Sequence, residues 1–311
     1  PRPFAGLTES MLWEITVVNQ VVATGSNRKQ REGKGSSMVT QYPEGTLSMP
    51  KEAQLSNAAY HDHPAVSKSH LDQVHKSGRH YWARYVDPDR LPVEPTPAMV
   101  TGTLFHALVL EPELFDSEFV LAPEINKRTK AGKEEWAAFE AASQDKILVS
   151  TDQMDLVRNM TEAVMSHPAA STILRLKGEA EQTYTWTDDQ TGEACKCRPD
   201  WHAEGLVVDL KSTIDASPEG FAKSVNNFRY HVQANWYLRG TPNAEQFVFI
   251  ACEKTPPFAV AVYVASPEMV AAGGRAADED LARLAEYRRE DNWPSYSNQI
   301  ETLNLPRWNN D

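Results

Sequence analysis

The sequence predicts an α/β or α+β domain in which one mixed β-sheet is flanked by helices. Helical periods dominate from Leu55 to Ser166. Three strand-like segments then follow one another across tight turns between Glu181 and Leu210, and the chain closes with a helix, two strands and a helix. Neither an all-helical nor an all-β chain is patterned this way.

The 311 residues, 41% hydrophobic and 24% charged, are ordinary globular composition with room for one large or two modest domains. The texture favours one catalytic-sized domain over residues 55–311, preceded by an arm or linker over residues 1–54. Within that arm Leu12–Ala23 is apolar and β-branched, and Thr24–Gly35 is polar, basic and Gly-containing, as in an exposed link. The chain begins at Pro1, which points to a trimmed chain or a piece of a longer protein, and no signal peptide is visible. Three cysteines (Cys195, Cys197 and Cys252) form no even framework, so a reducing, cytoplasmic setting is expected. Cys195 and Cys197 read as alternate residues of a strand, since the other half of a metal site is missing. No apolar run approaches the ~18 residues of a membrane span. A net charge of −12 argues against a general nucleic-acid coat but leaves room for a locally basic groove.

Taken in order, Ser67 is a candidate N-cap for an amphipathic helix reaching about His75. Gly78–Tyr85 mixes aromatic and basic residues, suited either to stacking on nucleic acid or to a helix whose Tyr81, Trp82 and Tyr85 are core. Asp87–Pro97 is Pro-rich loop. Met99–Leu110 is helical and apolar, with His106 inside it; such a histidine is usually a satisfied core residue. Asn126–Gly132, with Lys127, Arg128 and Lys130, followed by Lys133, is the densest basic stretch. It is either a DNA-backbone contact or a solvated loop before a helix over Lys133–Ala142. Thr151–Ser166 is a further helix. Glu181–Thr187, Glu193–Trp201 and Leu206–Leu210 read as an antiparallel meander. Ser217 and Pro218 start a helix running to about Arg239 and ending at Gly240, with Tyr230, Gln233 and Tyr237 on one face. Gln246–Ala251 and Phe258–Val264 are strands, and Pro267–Arg289 is a long helix weakened by Gly273-Gly274.

The chemistry concentrates in Cys197-Arg198-Pro199-Asp200 and Val208-Asp209-Leu210-Lys211. Asp209 and Lys211, two apart on a strand, point to one face, with Asp200 across the turn. Carboxylate oxygens are hard ligands suited to Mg²⁺ or Mn²⁺, and an adjacent ammonium can hold a water or offset charge building on a phosphate. There is no Walker A sequence, dinucleotide-binding glycine pattern, nucleophile elbow or His-Glu-x-x-His.

Together these residues resemble the PD-(D/E)xK nuclease superfamily, and within it the RecE exonuclease group (exonuclease VIII). Five features carry the resemblance over roughly residues 55–290: His63–Leu71, Gly102–Pro112, Ala180-Glu181, Cys-Arg-Pro-Asp with Val-Asp-Leu-Lys, and Gln233-x-x-x-Tyr237. The resemblance implies an α/β nuclease core with a central mixed sheet. It implies Mg²⁺, with Mn²⁺ able to substitute, held by His106, Asp200, Asp209 and the Leu210 carbonyl. Lys211 would position the attacking water, Gln233 and Tyr237 would line the scissile-phosphate pocket, and Glu181 would be an outer ligand or a strand-edge partner. The implied activity is ATP-independent 5′→3′ digestion of double-stranded DNA ends, leaving 3′ single strands for a RecT-like single-strand annealing protein. The implied assembly is a ring-shaped homo-oligomer, trimer or tetramer, with Lys127, Arg128 and Lys130 facing the channel. A structure-specific endonuclease of the same superfamily and a non-catalytic DNA-binding subunit are the alternatives.

Overall fold

In the computed structural model, which describes residues 55–304 apart from Glu204, the helices come first. The arm, including Leu12–Ala23 and Thr24–Gly35, lies outside the described residues. Helix α1 spans Asn57–Asp62, α2 Lys68–Lys76 and α3 Gly78–Tyr81, the last running into a π-turn over Trp82–Val86. Helix α4 (Pro97–Leu110) starts where Thr96 caps Met99 N–H and Pro97 occupies the first turn. Helix α5 (Phe115–Glu118) leads into strand β1 (Phe119–Leu121), which pairs in parallel with β2 (Ile147–Val149) across α6 (Lys130–Ala142). Helix α7 covers Thr151–Ser166, as the pattern predicts, behind a Ser150/Gln153 capping box; α8 (Pro168–Leu174) follows.

The strands are β3 (Gly178–Ala180), β4 (Tyr184–Thr187), β5 (Ala194–Cys197), β6 (Trp201–Ala203) and β7 (Leu206–Thr213). Helices α9 (Pro218–Asn227) and α10 (Tyr230–Gly240) cross to β8 (Gln246–Glu253); β9 (Val260–Val264) and α11 (Pro267–Glu290) complete the domain. The main sheet runs β3-β6-β7-β8-β9, with β7 and β8 parallel and the other pairs antiparallel. This is the expected mixed sheet.

Period-two alternation sorts its faces. Leu206, Val208, Leu210, Val248 and Ile250 pack against Leu104, Phe105, Val157 and Met160 of α4 and α7. Val207, Phe247, Phe249 and Ala251 face Phe221 and Ala234 of α9 and α10. A third cluster joins α2, α10 and α11 to β4 and β5 through Leu71, Trp236, Leu281, Cys195 and Cys197. Both of these thiols are buried, and burial holds each up at about 12, so they are inert core residues. No helix among the described residues is long and apolar enough to cross a membrane.

Three expectations need correction. The meander is not continuous: Glu193–Trp201 breaks at Arg198–Asp200, and Glu181–Thr187 is strand only from Tyr184. β4 and β5 form a hairpin of their own, while β3 and β6 join the main sheet. Pro199 has no N–H to donate to a ladder, so the ribbon switches sheets there. Second, the helix from Ser217 to Arg239 is two helices, broken at Phe228 and at Arg229, whose φ is 55°. Third, the helix of the basic stretch starts at Lys130, with Thr129 as its cap, so Lys130 is helical rather than in the loop before the helix. The long helix expected from Pro267 is present as α11, and it passes through Gly273-Gly274, where a Cβ on Gly273 would collide with the His231 carbonyl of α10. Those glycines permit close helix packing.

Candidate active site

The sheet switch creates the site. β3 pairs with β6 and β4 with β5, so the two bends of the ribbon fall side by side at Glu181 and Asp200. Glu181 N–H donates to the Asp200 carbonyl at 3.2 Å. Glu181 takes a left-handed φ of 46°, strain for a residue with a Cβ, of the kind that persists where the surroundings over-determine it. Its side chain is held from two sides: Arg198 Nε lies 3.0 Å from Oε2, and His106 Nδ1 3.8 Å from Oε1. Arg198 also donates to Asn57 Oδ1 at 2.6 Å and sits over the Tyr60 ring, which fixes α1 as one wall.

Asp200, 7% exposed, accepts the Leu210 N–H on Oδ2 at 2.6 Å. The N–H and C=O of a strand residue face the same edge. The Leu210 carbonyl therefore points to the edge that β6 leaves open before Trp201, beside Asp200. His106, from α4, brings Nδ1 to 3.5 Å from the same Asp200 oxygen. His106, Glu181 and Asp200 offer one ligand atom each within 4.8 Å of one another. Asp209, fully buried on β7, accepts from Gln233 Nε2 on Oδ1 at 2.6 Å. Its Oδ2 lies 2.5 Å from Lys211 Nζ, a buried ion pair. Lys211 Nζ in turn lies 4.7 Å from the Tyr230 ring centroid.

The electrostatics are those of a site crowded with acid. Burial raises the Asp200 carboxyl, with His106 opposing and Glu181 reinforcing. Burial likewise lifts Asp209 to about 6 against the pull of Lys211. Burial disfavours the His106 cation, but Asp200 and Glu181 outweigh it and raise the imidazole to about 9. The site thus retains protons that its groups would lose in water. That is the behaviour expected of a cation site, where metal displaces protons. The donor set of His106, Glu181 and Asp200, with the Asp209 carboxylate beside it, fits a hard divalent ion such as Mg²⁺ or Mn²⁺.

These residues border a cleft of about 780 Å³ whose walls include Tyr60, Lys68, His106, Glu181, Asp200, Gln233 and Tyr237. All eight residues expected from the sequence, namely His106, Glu181, Asp200, Asp209, Leu210, Lys211, Gln233 and Tyr237, gather at or behind it. Glu181 Oε1 lies 3.8 Å from the imidazole, and its N–H makes it an edge partner of the Asp200 backbone. Tyr237 contributes a wall, and burial raises its phenol well above the ordinary range. Sequence reasoning assigns no site role to Arg198, Asn57, Lys68 or Tyr230. Signals are present for three of them: Arg198 lies in the Cys-Arg-Pro-Asp motif, Lys68 in the His63–Leu71 feature, and Tyr230 on the helix face of Gln233 and Tyr237. The basic stretch stands apart from the cleft walls, with Lys127 over the Trp136 ring and Lys130 near Glu134. Of the aromatic stretch, Tyr81 is core, Tyr85 stacks on His70 at 3.9 Å, and Trp82 lies beneath Arg79.

Comparisons with known proteins agree with this geometry. The family described as PDDEXK-like domain of unknown function (DUF3799) matches residues 67–306. A crystal structure of a candidate exonuclease from Eubacterium rectale is similar in fold, with a TM-score of 0.54 at 10% identity, covering 82% of this chain and 97% of that one. A structure described as SSO0001 has a TM-score of 0.27 at 17% identity, covering 58% of this chain and 85% of that one, and carries no argument. Among curated proteins none matches the sequence.

Proposed function

Because this chain belongs to the PDDEXK-like family DUF3799, we propose that it is a divalent-metal-dependent nuclease acting on DNA. The observation that carries this reading is the set of ligand atoms of His106, Glu181 and Asp200 within 4.8 Å of one another, next to the Asp209–Lys211 pair. His106, Glu181, Asp200, Asp209 and the Leu210 carbonyl are the groups that would hold Mg²⁺ or Mn²⁺. When bound, such an ion supplies a nucleophile at neutral pH and offsets charge on the reacting phosphate.

The chain's own residues do the rest. Lys211, its charge favoured by Asp209 and Asp200 although burial opposes it, keeps an ammonium where an attacking water and a phosphate oxygen would meet. Gln233 orients the Asp209 carboxylate through Oδ1, leaving Oδ2 directed to the site. Arg198 holds the far oxygen of Glu181, so that Oε1 stays turned to His106. Tyr60 and Tyr237 give the cleft apolar walls.

The finer reading is a Mg²⁺-dependent, ATP-independent exonuclease that digests duplex DNA from 5′ ends and leaves 3′ single strands. It would work in a ring of three or four copies beside a RecT-like annealing protein, in the cytoplasm. The superfamily resemblance of His63–Leu71 and Gly102–Pro112 supports it. The test uses linear duplex labelled at either end, with Mg²⁺ and then with EDTA. Loss of the 5′ label as mononucleotide in Mg²⁺ alone is expected. Cutting of a covalently closed circle would make the protein an endonuclease, and no cutting of either substrate would refute the reading.

A further inference from the structure

The break between α9 and α10 does more than interrupt a helix. Arg229 stands there in the left-handed region at φ 55°, a conformation that is strained for a residue with a Cβ. Its guanidinium fixes it: Nη1 donates to the Leu71 carbonyl at 3.4 Å and to Asp72 Oδ1 at 3.2 Å, and Nη2 to the buried Asp280 at 2.5 Å. A strained turn tied at three points is built into the fold. What it presents is Phe228, 59% exposed and preceded by exposed Asn226 and Asn227. An apolar ring left in water beside polar neighbours, on a turn that rigid, invites a ligand.

The ring is continuous with the chemistry. Phe228 stacks on Tyr230 at 5.6 Å and 27°, and Tyr230 lies against Lys211, 4.7 Å from ring centroid to Nζ. Lys68, which borders the cleft and pairs with Asp72, donates to the Phe228 carbonyl at 2.7 Å. Asp209, Lys211, Tyr230 and Phe228 thus form one row from the buried carboxylate to the surface. Two ammonium groups lie along it in a chain whose net charge is −12. A partner with flat apolar faces and regularly spaced anions matches that row: its phosphate meets Lys211 and Lys68, and its base meets Phe228. A nucleic-acid strand has this chemistry, and base–aromatic stacking is tolerant of sequence.

We propose that Phe228 is a nucleobase-stacking residue at the rim of the cleft, taking the terminal base of a DNA strand whose phosphate lies at Lys211. The inference rests on the nuclease reading above and adds to it a contact to the base. Stacking of this kind is worth about 1–3 kcal/mol per base, or roughly 5- to 150-fold in affinity.

The test is a double-mutant cycle between protein and DNA. Wild-type protein, Phe228→Ala and Phe228→Trp are titrated, with Ca²⁺ present, against a fluorescently labelled duplex. A second duplex carries abasic residues at the ends of both strands, and binding is read by anisotropy. Phe228→Ala should bind the normal end about 5- to 150-fold more weakly. It should lose nothing on the abasic end, and Phe228→Trp should restore binding. Equal losses on both ends, no loss on either, or no binding by the wild type would overturn the proposal. So would sedimentation showing that Phe228→Ala changes the oligomeric state, since Phe228 would then belong to an interface between copies. The two readings fail separately. Wild-type protein that cuts DNA while Phe228→Ala behaves identically refutes the stacking alone. Protein that shows the cycle but cuts nothing in Mg²⁺ refutes the nuclease and leaves the stacking standing.

Discussion

Replacing Asp209 by Asn should make the metal-free protein more stable at pH 8, although Asp209 is central to the proposed chemistry. Asp209 is fully buried, and its carboxyl is raised from 3.8 to about 6, chiefly by burial, with the attraction of Lys211 already acting against that. A carboxyl raised in the folded state stabilises the fold while protonated. Its contribution is present below pH 4 and is lost as pH rises through 6. The difference of about 2 pH units corresponds to roughly 3 kcal/mol. Above pH 6 the ionised group therefore costs the metal-free fold that amount relative to a neutral isostere. Asn supplies the isostere, and its oxygen still accepts from Gln233 Nε2. For a domain of this size 3 kcal/mol corresponds to roughly 6–12 °C in Tm. Thermal denaturation in EDTA should show Asp209→Asn melting that much higher than wild type at pH 8, with the gap narrowing to about a third by pH 4.5 and closing below pH 4. Added Mn²⁺ should raise the wild type and leave the variant behind. A variant that melts lower than wild type at pH 8 would refute the reasoning, because the Lys211 pairing would then dominate the desolvation of the carboxylate.

Lys211→Ala should reduce cleavage of linear duplex by at least about 10²-fold, the scale of losing one group that stabilises transition-state charge; cleavage at the wild-type rate would remove Lys211 from the site. His70 accepts the Ser67 backbone N–H on Nδ1 at 3.1 Å, which requires that nitrogen to be unprotonated, and burial holds the ring down at about 3. Its share of stability is whole above pH 6.5 and falls by about 1.4 kcal/mol per unit as pH drops towards 3. Urea titrations from pH 7 to pH 4 should show this slope reduced by His70→Gln. Gly273→Ala should cost about 1–3 kcal/mol by forcing α10 and α11 apart. Gly102→Ala, whose Cβ meets nothing within 4 Å, should instead raise stability by about 0.5–1 kcal/mol, both read by chemical denaturation.

Much of the fold was legible because it is local. α7 is marked by its capping box and apolar stripe, and β7 and β8 by short apolar runs that are buried on both faces. The long helix from Pro267 was readable as well, although its two glycines looked like a weakness; they answer to α10, which no local pattern reveals. The helix predicted from Ser217 to Arg239 hides its break for a similar reason. Arg229 has ordinary helix propensity, and the turn exists because Leu71, Asp72 and Asp280 converge on its guanidinium from α2 and α11. Likewise, Glu181–Thr187 and Glu193–Trp201 alternate like ordinary strands, and only the switch between two sheets bends them.

Period two along β7 determines by itself that Asp209 and Lys211 share a face and that Leu210 turns to the opposite core. Residue chemistry by itself determines that their ligand would be a hard cation. Tertiary structure decided the rest. It brought His106 from a helix and Glu181 from a strained bend to Asp200, and it set Phe228 outside the cleft in a row with Lys211. Side-chain periodicity is written into consecutive residues, whereas meetings between distant segments depend on where sheets bend and which buried charges find partners. Those outcomes are free energies of the folded whole.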